Sequence, residues 1–414
     1  MKQSRYPAGS ECMGALRTRR QVLAGGGILA TALLAGCRAA DSGVPLATNT
    51  PEPLPTASPT VVAAKPAGAE MELRKKLAQM VMVGFRGTTL AADSSIVADV
   101  RERGIGGVVL FSYDSVLQSP VRNVESPEQV AALNAGLHGL AETPLLIAVD
   151  QEGGLVARLN DRYGFPATLS PQELGARNDP AYTYDAAAQM ARTLRAAGAN
   201  HNFAPVVDVN TNPENPVIGA LGRSFSADPA IVTEQAAAFL RAHRENGITT
   251  TLKHFPGHGS SRTDSHLGFV DVTNTWQPLE LEPYRALIAQ DLVDAVMTAH
   301  VFNAQLDPDA VATLSQPIIT GLLREALGFD GVIFSDDMQM GAIADNYGFA
   351  DAVVRTVAAG VDIVAIANNL TYEPEIAAKT IDILAAAVAG GRLSAARIDQ
   401  SYQRILTLKA KWAS

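Results

Sequence analysis

Eight short apolar runs punctuate the chain, at residues 80–85, 107–111, 145–150, 202–209, 249–254, 295–300, 331–336 and 363–367, and a helix-length segment follows each. Their hydrophobicity is nearly continuous instead of alternating, as parallel strands covered on both faces require. The segments between them, such as 186–197 and 231–245, are rich in Ala and place apolar residues at helical spacing. Eight βα repeats with no second break in composition predict an α/β chain folded as a single (β/α)8 TIM-type barrel over residues 71–414. An open doubly wound sheet is the alternative. Near the end, Ser394 is placed to cap a helix running to about Lys411 that closes the domain.

Polar residues fall on this frame in a pattern. Asp150 ends the third run and is followed by Gln151, Glu152, two Gly and Arg158; Arg223 follows the fourth run. Lys253 and His254 end the fifth, His300 the sixth, and Asp336 with Asp337 the seventh. In a barrel the carboxyl ends of the strands share one face, so these groups would converge on one pocket. The fifth run opens into Phe255-Pro256-Gly257-His258-Gly259 and continues to Asp264-Ser265-His266, which puts three of the seven His of the chain on one strand end and its loop.

The amino terminus reads differently. Arg17, Arg19 and Arg20 precede an apolar run at 22–36 that falls short of the ~20 residues a bilayer span needs, the shape of a signal peptide. Residues 18–23 resemble a twin-arginine export signal, with Sec export the alternative, and 34–37 resemble a lipobox whose Cys37 becomes the lipidated first residue. An uncleaved anchor with Cys37 as an idle thiol is the other reading. Residues 1–37 are therefore expected to be a lipoprotein leader, and 38–70, rich in Pro, Thr, Ala and Ser, a disordered tether. Cys12 would leave with the leader, so the mature chain has no thiol pair for a disulfide. The whole chain carries a formal charge of -9, and the part after Cys37 has 28 basic against 41 acidic residues. So acidic a chain lacks the basic face that nucleic acid demands, and no nucleic-acid partner is expected.

A carboxylate, a loop His with an Asp two residues away, and several hydrogen-bonding groups, without Cys or a phosphate-cradling Gly motif, suit displacement at a polar carbon such as the anomeric centre of a sugar. An Asp beside cations stays ionised and can attack. A His can give and retake a proton near neutrality, and Asp264 can fix the tautomer of His266. No cofactor is expected. His254 and His258 have a spacing that binds metal on a helix, but Pro256 and Gly257 break any helix there, so no metal is expected either. His138, His201 and His243 are read as non-catalytic, His300 as pocket lining, Glu152 as a brace for the Gly-Gly turn, and Asp337 as a salt-bridging or helix-capping residue.

Taken together, the motifs at 150–154 with Arg158, 202–208, 222–225, 253–259, 264–266 and 334–337 resemble glycoside hydrolase family 3, and the Asp264-Ser265-His266 triplet resembles its β-N-acetylhexosaminidase branch. The resemblance covers residues 72–410. It implies a retaining mechanism with Asp336 as nucleophile, His266 as acid and then base, and Asp264 as its partner. It implies that Asp150, Arg158, Arg223, Lys253 and His254 bind the terminal N-acetylglucosamine. Relatives that are β-glucosidases take their acid from an added C-terminal α/β sandwich domain, which is not expected here. Two departures stand out: Leu155 where relatives often have Arg, and Ser260-Ser261 where Asp-Thr is common. The resulting expectation is an exported, lipid-anchored, monomeric exo-β-N-acetylglucosaminidase at the outer face of the cytoplasmic membrane or in the cell envelope, acting on N-acetylglucosamine-containing cell-wall fragments. A phosphorylase using the same intermediate and an inactive sugar-binding lipoprotein are the alternatives.

Overall fold

The computed structural model of the protein describes residues 67–412; the expected leader with Cys37 and the tether up to residue 66 lie outside the described residues. Helix Ala67–Gln79 begins inside the stretch expected to be tether. The Pro-rich composition ends at Pro66, and the Ala, Glu, Met, Leu, Lys and Gln that follow are good helix formers.

Eight parallel strands follow: β1 Val81–Gly84, β2 Gly107–Leu110, β3 Leu146–Val149, β4 His201–Asn202, β5 Thr249–Phe255, β6 Ala295–Thr298, β7 Val332–Phe334 and β8 Val364–Ile366. Each pairs with its neighbours in chain order, and β1 also pairs with β8. The ring closes between β7 and β8 through the bridge Phe334 to Ile363, with Ser335 N donating to Ile363 O at 3.0 Å. An open sheet would leave two strand edges unpaired, so the doubly wound alternative is excluded. In β1, β2, β3, β5, β6, β7 and β8 every residue is buried, the two-faced burial that the unbroken apolar runs require.

The fourth strand is shorter than its apolar run. Regular pairing stops at Asn202, and the chain continues extended, with Ala204 O and Pro205 O accepting from Thr251 N and Lys253 N at 3.1 and 3.3 Å. Pro205 has no N–H to donate, so the ladder is one-sided there. The hydrogen bond from Val207 N to Lys253 O, at 2.9 Å, still brings Asp208 alongside the end of β5.

Helices cover the outside. Pro180–Ala196 and Pro229–Glu245 start on Asp179 and Asp228, whose carboxylates accept from the first free backbone N–H groups. Helix Ala395–Ala410 starts on Ser394, as its sequence indicates. No helix among the described residues is long and apolar enough to cross a membrane.

This last helix buries Lys409, 2% exposed, whose ammonium meets the Gln79 Oε1 at 2.7 Å. Burial pushes its pKa down to about 7. The folded state therefore holds this proton less tightly than the unfolded chain. Its penalty is absent above the unfolded pKa, grows as pH falls, and is complete below the folded value. Lys409→Met is expected to raise unfolding free energy by about 1–3 kcal/mol at pH 5 and by less at pH 9, after the loss of the bond to Gln79. Urea unfolding at the two pH values measures both.

Candidate active site

The carboxyl ends of β3, β4 and β5 deliver the first group of side chains. Successive residues of an extended strand face opposite ways, so Asp150 and Glu152, two apart, turn to the same side. Lys253, at the end of β5, bridges them with its Nζ at 2.8 Å from Asp150 and 2.7 Å from Glu152. Arg223 grips Glu152 with Nε and Nη2, both at 2.7 Å, and Arg158 reaches Asp150 at 3.3 Å. Burial opposes ionisation of both acids, but the cations outweigh it and hold both carboxyls below their usual range. The Lys253 ammonium is held charged in the same way, its two carboxylates outweighing burial. Two acids and three cations in one network leave one positive charge, and the network is rigid because each ion locks the next.

His254 sits at its edge. Asp208 accepts from His254 Nδ1 at 2.7 Å and from the backbone N–H groups of His254 and His258 at 3.2 and 2.8 Å. His254 Nε2 lies 3.4 Å from Arg223 Nη2, which joins the imidazole to the network.

The loop after β5 is fastened from below. His258, buried and held neutral by burial with a pKa near 4, has Nδ1 2.9 Å from Ser261 Oγ and Nε2 3.0 Å from Ser265 Oγ. Asn215 donates to His258 O and Ser261 Oγ at 2.7 and 3.0 Å. Glu280 accepts from Gly259 N at 3.2 Å beneath the turn. A side chain at Gly257, with φ +125°, would run into that carboxylate at 2.7 Å. Both imidazole nitrogens of His258 are thus engaged, and no group of three or more metal-ligating side chains occurs among the described residues. Of the two departures from the family pattern, Ser261 joins this network, and Leu155 lies 75% exposed on the tip of a hairpin.

Ser265 carries its neighbours with it. Asp264 Oδ1 accepts from His266 N and faces Nδ1, both at 2.8 Å, while the His266 side chain stays 46% exposed. The loop then docks on the turn after β7: Gly341 N and Ala342 N donate to His266 O and Ser265 O, both at 3.2 Å. A Cβ at Gly341 would sit 3.0 Å from His266 O, so the contact is tight and a side chain there would press on the loop. Asp336 lies at the other end of that turn and is partly buried, with Asp337 N on its Oδ1 at 2.8 Å. Burial raises its pKa, but His300, His254 and His266 outweigh this and keep the carboxyl ionised. For His266 burial acts downward and is overcome by Asp264 and by the charge of Asp336, so its pKa lies above that of an ordinary imidazole.

Asp337, expected to form a salt bridge or cap a helix, does neither. It accepts from Gln339 N and Ala367 N at 3.1 and 2.9 Å, tying the turn to the end of β8, and burial lifts its pKa to about 6. His300, expected to line the pocket, is fully buried between Thr313 Oγ1 and Asp337 O, at 2.7 and 2.9 Å. The reading of the sequence missed three residues: Glu152, which is the shared counter-ion of the network and no mere brace; Asp208; and His258. The two-residue spacing of Asp150 and Glu152 was the available signal for the first, and a carboxylate set inside an apolar run was the signal for the second.

This arrangement offers an ionised carboxylate, a loop His-Asp pair beside it, and a charged network able to grip hydroxyls. Comparison with known proteins agrees with that chemistry. The model of the Glycosyl hydrolase family 3 N terminal domain matches residues 72–408. The chain is 36% identical over 399 residues to beta-hexosaminidase LpqI of Mycobacterium tuberculosis, covering 92% of this chain and 95% of that one. It is 33% identical over 377 residues to beta-hexosaminidase A of Pseudoalteromonas piscicida, covering 81% of this chain but only 60% of that protein. A solved glycoside hydrolase family 3 β-N-acetylglucosaminidase from Paenibacillus sp. str. FPU-7 superposes with a TM-score of 0.75 at 40% identity, over 82% of this chain and 62% of that one.

Proposed function

Since the chain belongs to glycosyl hydrolase family 3, we propose that it is an exo-acting, retaining β-N-acetylglucosaminidase that removes terminal N-acetylglucosamine from cell-wall fragments. The observation that carries this reading is the Asp264–His266 pair, 2.8 Å apart, on a loop docked to the turn that begins at Asp336. A retaining glycosidase needs a nucleophile below the sugar and a proton donor beside the leaving oxygen, and these two groups supply both. Asp336 attacks the anomeric carbon and forms a glycosyl ester as the C–O bond to the leaving group breaks. His266 gives its proton to the departing oxygen, then takes one from the water that cleaves the ester. Asp150, Arg158, Arg223, Lys253 and His254 hold the sugar by its hydroxyls and acetamide. Export and lipid anchoring through Cys37 belong to the same proposal and rest on residues 17–37.

Hydrolysis of 4-nitrophenyl N-acetyl-β-D-glucosaminide beside the matching glucoside is the test, with phosphate present and absent. Turnover of the acetamido sugar alone supports the proposal; a sugar 1-phosphate product that needs phosphate would replace it with phosphorolysis, and no turnover would overturn it. The pH profile is a second expected result. His266 must enter protonated, so kcat/KM falls as pH rises through a pKa above the ordinary ~6.5. Asp264→Asn removes the hydrogen bond and charge that raise that pKa, so the alkaline limb moves to lower pH.

A further inference from the structure

The loop after β5 carries a His that has no part in the proposed bond cleavage. His258 is 2% exposed and sits between two serines, with Nδ1 on Ser261 Oγ and Nε2 on Ser265 Oγ. The direction of these bonds follows from their neighbours. Asn215 Nδ2 donates to Ser261 Oγ at 3.0 Å, which leaves the proton of that hydroxyl to be given onward. Its choices are His258 Nδ1 at 2.9 Å and Thr263 O at 3.4 Å, and the shorter bond goes to the imidazole. A neutral imidazole carries one N–H, so with Nδ1 accepting, Nε2 donates to Ser265 at 3.0 Å. The bonds thus run one way, from Asn215 through Ser261 and His258 to Ser265, and each strengthens the next.

Ser265 stands between Asp264 and His266, so what holds it holds both. The side chains of Asp264 and His266 are 25% and 46% exposed and bond to each other. From residue 264 to 266, the bond between Ser265 and His258 is the one side-chain hydrogen bond to a residue outside the segment among the described residues. The imidazole is anchored in its turn. Asp208 accepts from His258 N at 2.8 Å and from His254 Nδ1 at 2.7 Å, so one carboxylate sets both the sugar-binding His and the base of the loop.

We propose that His258 is a positioning residue for proton transfer, which through Ser265 fixes where Asp264 and His266 stand against the leaving oxygen. This inference rests on the glycosidase reading above, with His266 as acid and base. His258 itself touches neither the sugar nor the reacting atoms.

A proton donor matters most where the leaving oxygen is a poor anion. A misplaced His266 therefore slows a poor leaving group and spares a good one, whereas a distorted sugar site slows both. The two amide replacements differ in reach: Gln can place its amide where Nε2 stood and still donate to Ser265, and Asn reaches only the place of Nδ1.

The test measures kcat/KM on the phenyl and the 2,4-dinitrophenyl N-acetyl-β-D-glucosaminides, with thermal melting of each protein. The unaltered chain is compared with His258→Asn, His258→Gln, Ser265→Ala and the double variant of His258→Asn with Asp264→Asn. His258→Asn is expected to lose roughly 100-fold on the phenyl substrate, the lower range of what a proton donor contributes, and only a few-fold on the dinitrophenyl one. His258→Gln is expected to keep more of the phenyl activity. Ser265→Ala removes only the hydroxyl that His258 holds and is expected to show the same selective loss, which keeps the test in force if His258→Asn does not fold. The double variant is expected to lose less than the product of its two single losses, because both act through His266. Equal losses on the two substrates, Asn matching Gln, or a double loss equal to the full product overturns the inference while leaving the glycosidase reading in place. Turnover of neither substrate by the unaltered chain defeats that reading and the inference with it.

Discussion

Asp336→Ala is expected to lose roughly 10⁴-fold or more of kcat/KM on an aryl N-acetylglucosaminide, with no change in the thermal melt. Burial raises the pKa of this carboxyl, but the neighbouring His300, His254 and His266 outweigh it and hold the group below its usual range, as the proposed nucleophile requires. In the proposed mechanism alanine removes the atom that bonds to the anomeric carbon, and no neighbour replaces it: Asp337 turns its carboxylate away to Gln339 N and Ala367 N. The space left by the carboxylate admits a small anion. Azide added to the variant is expected to restore part of the turnover and to give the α-glycosyl azide, the anomer opposite to the substrate, because it attacks from the side Asp336 occupied. Activity that survives the substitution unchanged would remove Asp336 from the mechanism.

Glu152→Ala carries the largest expected cost in stability, about 3–5 kcal/mol. Glu152 is fully buried and shared, taking Arg223 through two hydrogen bonds and Lys253 through a third contact, all at 2.7 Å. Both cations are themselves buried, at 9% and 2% exposure, so removal of the carboxylate strands charge where water cannot reach it. Glu152→Gln keeps the shape and loses only the charge, and is expected to fall between the two. The effect depends on pH in a definite direction. The folded-state pKa of Glu152 is depressed, so its stabilisation is complete above the unfolded value of ~4.3 and is lost as pH falls through the folded value. Urea unfolding at pH 7 and at pH 3.5 should therefore show the gap between the unaltered chain and Glu152→Gln narrowing at the lower pH. An equal gap at both would show that geometry, and not charge, is what Glu152 contributes.

The residues expected to meet do so unevenly. Asp150, Arg158, Lys253, Arg223 and His254 form one connected group, joined by Asp208, which reading the chain did not single out, and by Glu152, which it took for a turn brace. Asp264 and His266 pair with each other, being two residues apart, and a local contact of that kind is legible in a sequence. What brings them to Asp336 is the docking of backbone to backbone across about seventy-five positions, and no side-chain pattern announces it.

By itself the sequence determined the eight strands, their parallel order, the capped closing helix and most of the charged residues at the mouth. The reason is that burial on both faces demands unbroken apolar runs, and a helix start demands a side chain that accepts backbone hydrogen bonds. The tertiary structure alone decided which charges are partners. Glu152 meets Arg223 from 71 positions away, and Asp208 meets His254 from 46 away. A carboxylate destined for a buried ion network is written with the same letter as one destined for water. Its energy depends on what closes over it, and that is settled only when the ring of strands brings distant ends together.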